Sequence, residues 1–166
     1  MFKGGMDMKR RMGITFLLVV FMLLAGCVNQ KPEYTQLGTS KFSIELPDGY
    51  KNTEDDYDED QIAYYHKDDK SIDFDVYQWA KEDMYALEEE AEYFAAEYGT
   101  TATEVVINGI AGMKYVSQEA YDGDAYTVIN YMFDDGENIV ELCFWTINTK
   151  EELDAVDGII NSIVKN

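Results

Sequence analysis

The chain has 166 residues, with 13 lysines and arginines against 33 aspartates and glutamates, a formal net charge of −20. Phosphate backbones are bound by clustered basic residues, so this balance argues against a nucleic-acid partner. One histidine and two cysteines offer too few of the usual zinc ligands, and they allow at most one disulfide.

Lys3, Lys9, Arg10 and Arg11 precede an apolar run over residues 14–24, interrupted only by Thr15. At about 1.5 Å per residue this run is too short for a hydrocarbon core of about 30 Å. It closes on Leu24-Ala25-Gly26-Cys27. That ending resembles the lipobox of a bacterial lipoprotein signal peptide. The resemblance implies diacylglycerol on the Cys27 sulfur, cleavage before Cys27 and often a further acyl chain on the new amino terminus. Residues 1–26 are then a signal peptide, and the protein is expected on the extracytoplasmic face of the cell membrane. Two acyl chains anchor stably where one binds marginally. Residues 27–166 keep nine basic and 32 acidic side chains, a net charge of −23. Anionic headgroups repel such a domain, so the lipid itself must hold it to the membrane. With Cys27 lipidated, no internal disulfide can form. Cys143, within Leu142-Cys143-Phe144-Trp145, reads as a buried and inert thiol.

Residues 27–40 are expected to be the lipidated cysteine and a flexible tether, and 41–166 a single domain. Phe42, Ile44 and Leu46 alternate with Ser43 and Glu45, a strand closed by Pro47-Asp48-Gly49. An acidic loop spans 54–60. Strands are expected at 62–66 and 72–77, forming an antiparallel meander with the first. The helix predicted over 83–98 carries Leu87, Ala91, Phe94, Ala95 and Tyr98 on one stripe and stops at Gly99. A strand at 103–107 leads into an Asn108-Gly109 hairpin turn. Strands at 110–119, 125–133 and 139–147 follow, separated by turns at Asp122-Gly123 and Asp134-Asp135-Gly136. Apolar residues on both faces of 142–147 predict a central strand covered on both sides. Thr149 and Glu152 form a capping box for a last helix with Leu153, Val156, Ile160, Ile163 and Val164 as its apolar stripe.

An alternating strand ending in Pro47-Asp48-Gly49-Tyr50, two more strands, an acidic helix, an Asn-Gly turn, a long meander and a helix ending near Ser162 together resemble the PsbP-like domains. The resemblance covers about residues 41–166. It implies an α+β fold, an antiparallel sheet of about six to seven strands flanked by two main helices. It also implies non-enzymatic binding or assembly work, and it transfers no residue role.

No nucleotide-binding glycine motif and no nucleophile motif is present. His66 ends a strand beside Ile62 and Tyr64 and reads as a structural residue at the solvent edge. Asp73 and Asp75 share one side of a strand, about 7 Å apart by strand rise, and read as a solvated face. Asp56, Asp58 and Asp60 mimic the start of an EF-hand loop. Gln61 stands where that loop needs glycine and Lys67 where it needs glutamate, so weak calcium binding is the most this segment suggests. The expected function is a membrane-anchored, non-enzymatic binding or assembly module for an envelope protein or small ligand, with no cofactor. The alternatives are cation capture by the acidic loop and a carboxylate-dependent envelope hydrolase, which needs two acids converging in a cleft.

Overall fold

A computed structural model describes residues 33–53, 59–67, 72–121 and 123–166. The signal sequence, Cys27 and loop residues 54–58 lie outside these. Among the described residues ten strands form: β1 Tyr34–Gln36, β2 Phe42–Glu45, β3 Lys51–Asn52, β4 Gln61–His66, β5 Asp73–Ala80, β6 Thr103–Ile107, β7 Ile110–Tyr121, β8 Asp124–Asp134, β9 Asn138–Thr146 and β10 Val164–Lys165. Two helices accompany them, α1 Leu87–Glu97 and α2 Lys150–Ile160. Seven strands make one antiparallel sheet, ordered β3-β4-β5-β9-β8-β7-β6. The expected α+β architecture is thus present.

The main sheet has two faces with different cover. Phe74, Val76, Ile129, Tyr131, Phe133, Val140, Leu142 and Phe144 point to one face, where they meet Val156, Ile159 and Ile160 of α2. The opposite face carries Met113, Tyr115, Met132 and Ile139, which pack under Ala91 and Ala95 of α1. These alanines are fully buried and let the helix lie close to the strands. The central strand β9 is buried along most of its length, as its apolar run predicts, but Trp145 is only half-buried and Ile147 lies past the strand end, exposed.

The expected meander of the first three strands does not form. β2 leaves the main sheet and pairs with β1 and β10 in a three-stranded sheet of its own. The amide of Leu37 donates to the Phe42 carbonyl at 3.0 Å, closing the β1–β2 turn. Leu37 is fully buried, and so are Phe42 and Ile44. This second sheet covers the α2 side of the main sheet, where Phe42 meets Phe133 at 5.7 Å between ring centroids. The fold therefore reaches back to residue 34, into the stretch expected to be tether. Val164 is also reassigned. It pairs with Ser43 in β10 and is not a helical stripe residue.

The helix boundaries follow from capping. α1 starts at Leu87 instead of 83, because Lys81–Asp83 forms a 3₁₀ turn and Ala86 is extended. No side chain caps it at Ala86, but Glu90 reaches back to accept from the Tyr85 amide at 3.1 Å. Its end is a full Schellman motif: Gly99 N–H bonds the Ala96 carbonyl, Thr100 N–H bonds that of Ala95, and Gly99 takes a φ of 66°. At α2 the capping box of Thr149 and Glu152 is complete.

Turn chemistry ties the layers together. Asn108 and Gly109 both take positive φ, the type I′ hairpin signature. The Asn108 side-chain amide donates to the carbonyls of Asn161 and Ile163 at 2.7 and 3.1 Å, joining the hairpin to the end of α2. Asp135 is buried and accepts from the amides of Glu137, Asn138 and Lys41. Burial raises its pKa, but these bonds outweigh that and hold it below the usual carboxylate value. Asp135→Ala leaves those donors unmatched, and urea unfolding is expected to report a loss of about 1–3 kcal/mol.

Candidate functional site

α1 covers only part of its face of the main sheet. Running out from beneath it, the antiparallel register lines up a row of side chains across five strands. Tyr115 of β7 stands opposite Asn130 of β8, Asn130 opposite Cys143 of β9, Cys143 opposite Asp75 of β5, and Asp75 opposite Tyr64 of β4. The flanking row holds Met132, Glu141 and Tyr77. On the other side stand Val128, Trp145 and Asp73. Every one of these positions has the parity of Asp75, so all share one face.

Two recesses open on this face. The inner one, about 200 Å³, lies among Asp75, Tyr77, Tyr98, Tyr115, Glu141 and Trp145, with Glu119, Asn130, Trp79 and Phe94 around them. The outer one, about 470 Å³, is bounded by Gln61, Tyr64, Asp73, Tyr126 and the shared residues Asp75, Tyr77 and Trp145. The aromatic walls are ordered by mutual contacts. Tyr77 stacks on Trp79 at 5.8 Å, Trp79 meets Phe94 at 5.7 Å, and Tyr98 stacks on Tyr115 at 6.3 Å. Tyr126 meets the Trp145 ring edge-on at 5.9 Å.

Asp75 is buried, at 9% exposure, and is not part of a solvated face. The expectation from alternation was right about its direction and wrong about its surroundings, because the large rings wall it in. One carboxylate oxygen accepts from the Gln61 amide and the other from the Trp145 indole, each at 2.7 Å. Asp73 on the same side accepts from the Tyr64 hydroxyl at 3.0 Å.

Glu141 is buried at 4% exposure and accepts from the Tyr115 hydroxyl at 2.6 Å. Burial pushes its carboxyl up to about 7, against the bonds from Tyr115 and Cys143, with further upward pressure from Glu119. Burial and the same carboxylate hold the Tyr115 phenol far above its ordinary value, so it stays a donor. Cys143 is buried, and its thiol is pushed well up by burial and then by Glu141 and Asp75. Its thiolate is therefore scarce at neutral pH, which disfavours a nucleophilic role.

Among the singled-out residues, Asp73, Asp75 and Cys143 lie on this face, Asp73 and Asp75 at the outer recess and Asp75 and Cys143 at the inner. His66 sits beyond it, stacked on Tyr64 at 5.6 Å. Ile62 does not share their face. A β-bulge between Gln61 and Ala63 turns it towards the α2 side. Asp56 and Asp58 lie outside the described residues. Among the described residues no group of three or more His, Cys, Asp or Glu side chains is arranged to hold a metal ion, and no helix is long and apolar enough to cross a membrane. Glu141, Tyr115, Asn130 and Trp145 were not singled out from sequence as site residues. The available signal was a glutamate inside a strand read as covered on both sides.

No family profile and no curated protein sequence matches the chain. Solved structures do. The cyanobacterial PsbP (CyanoP) of Synechocystis sp. PCC 6803 aligns with a TM-score of 0.59 at 9% identity, over 81% of this chain and 92% of that one. A protein of Bacteroides thetaiotaomicron VPI-5482 aligns with a TM-score of 0.54 at 15% identity, over 79% of this chain. The match spans about half of the Bacteroides protein, 49% of its length. These likenesses establish a PsbP-like fold.

Proposed function

We propose that this protein is a lipid-anchored module of the cell envelope that binds a small ligand or an envelope partner without turning it over. The observation that carries the reading is the recess on the open side of the sheet. Its aromatic walls and few convergent polar groups have the composition of ligand sites, and its outer part, about 470 Å³, has the size of one. The Leu24-Ala25-Gly26-Cys27 sequence supports lipid attachment at Cys27 and display on the extracytoplasmic face. The PsbP-like fold is compatible with binding or assembly work.

A second reading, a carboxylate-dependent hydrolase, draws on the two buried acids that reach one recess. Against it, both Asp75 oxygens are engaged by fixed donors, which is poor provision for activating water. Cation capture by the acidic loop remains a third reading, supported by Asp56, Asp58 and Asp60.

Expression in a bacterial host fed an alkyne fatty acid tests the anchor. The native chain is expected to carry label and sediment with membranes, and Cys27→Ser to lose both. A thermal-shift screen of metabolites, repeated with Trp145→Leu, tests the binding site. Ligands that stabilise the native protein and not the variant support it. Turnover of chromogenic esters or glycosides, abolished by Glu141→Gln, would overturn the non-enzymatic reading.

A further inference from the structure

We infer that the recess takes an organic cation, an alkylammonium or quaternary ammonium head in the inner part with its tail along the outer part. This deepens the binding-module reading and rests on it.

The argument is one of matched chemistry. Asp75, Glu119 and Glu141 line the inner recess and Asp73 the outer, and among the described residues no lysine, arginine or histidine lines either. Carboxylates of one sign between low-dielectric walls focus their field into the space between them, with Glu141 adding its charge as pH rises past about 7. The donors nearby are turned onto the acids themselves: Gln61 and Trp145 onto Asp75, Tyr115 onto Glu141, Tyr64 onto Asp73. A ligand therefore meets carboxylate oxygens and aromatic π-faces, together with the hydroxyls of Tyr77, Tyr98 and Tyr126, which can accept as well as donate. The carboxylates and the π-faces both attract a cation, and tryptophan does so best among the rings.

The walls supply that π-surface. Tyr77, Trp79, Tyr98, Tyr115 and Trp145 all border the inner recess. The bond from the Trp145 indole to Asp75 fixes that ring by its edge.

Asn130 adds an acceptor to the recess. It is 3% exposed and lines the inner recess. Its amide makes a single long bond, from Nδ2 to the Val128 carbonyl at 3.4 Å, so its oxygen has no hydrogen-bond partner among the described residues. Among the described residues the buried side-chain atoms without a partner do not include this oxygen, so it opens to the recess, where it can accept from a ligand. An ammonium N–H or the polarised C–H of a quaternary head meets it. A bare metal ion fits less well, since among the described residues no three acids or soft ligands converge on one point.

The test is calorimetric titration of the purified full-length protein in neutral detergent. The probes are choline, cadaverine, the neutral choline isostere 3,3-dimethylbutan-1-ol, and maltose. Choline or cadaverine is expected to bind with a Kd of roughly 1 mM or tighter, at least about tenfold tighter than the neutral isostere. Trp145→Leu should weaken the cation about tenfold, with a thermal melt to confirm folding. The comparison of choline with its isostere on the native protein stands even if that variant does not fold. Equal binding of choline and the isostere overturns the inference, as does the absence of binding by either amine at 10-fold that concentration. Binding of maltose alone also overturns it, while leaving the binding-module reading in place.

Discussion

Glu141→Gln is expected to stabilise the folded protein at pH 8 by up to roughly 3 kcal/mol and to flatten its stability profile below that pH. Burial raises the native carboxyl from 4.5 to about 7. Between those values the folded chain keeps a proton that the unfolded chain has released. Native stability therefore falls as pH rises from about 4.5 to about 7 and is level above. Each decade is worth about 1.4 kcal/mol, which gives the total. Glutamine cannot ionise, and its carbonyl can still accept from Tyr115. Thermal melts from pH 4 to pH 9 should converge at the acid end, with the variant about 10 °C higher at pH 8. Parallel curves, or a variant less stable at pH 8, would show that Glu141 is not held in the buried state described.

That an acid sits there at all marks the limit of what periodicity conveys. Strand and turn signals placed β6 at 103–107, the Asn108-Gly109 turn and the capping box of α2 where the structure has them. These are local devices, decided within a few residues of chain. Pairing partners are not local. Nothing within residues 42–46 says that β2 will join β10, more than a hundred residues away, instead of β4. Leu37 shows the same difficulty. One apolar residue in a polar stretch reads as tether, yet it is fully buried because a second sheet closes over it. The site was legible only in fragments. Alternation gave the direction of Asp73 and Asp75, and the burial of most of β9 was plain. That Tyr115, Asn130, Cys143 and Asp75 form one row depends on three strand registers at once.

Phe74 and Asp75 are neighbours in β5 that point to opposite faces, so they separate stability from binding. Phe74→Ala is expected to cost about 3–5 kcal/mol. Its ring lies 4.9 Å from both Tyr65 and Phe144, in a fully buried position under α2 and the second sheet. Its neighbours are rings fixed in their own strands, which relax only partly into the volume it leaves. Asp75→Asn should cost only about 1–2 kcal/mol, because the amide oxygen can still accept from Gln61 or Trp145. Its larger effect belongs to the recess, where one carboxylate charge disappears. Urea unfolding should therefore show a large loss for Phe74→Ala and a small one for Asp75→Asn. Titration with choline should show the reverse: affinity near native for the folded fraction of Phe74→Ala, and about tenfold weaker for Asp75→Asn. Equal destabilisation by the two would make Asp75 a member of the core. Unchanged affinity in Asp75→Asn would mean that its charge does not reach the ligand, whatever the aromatic walls contribute.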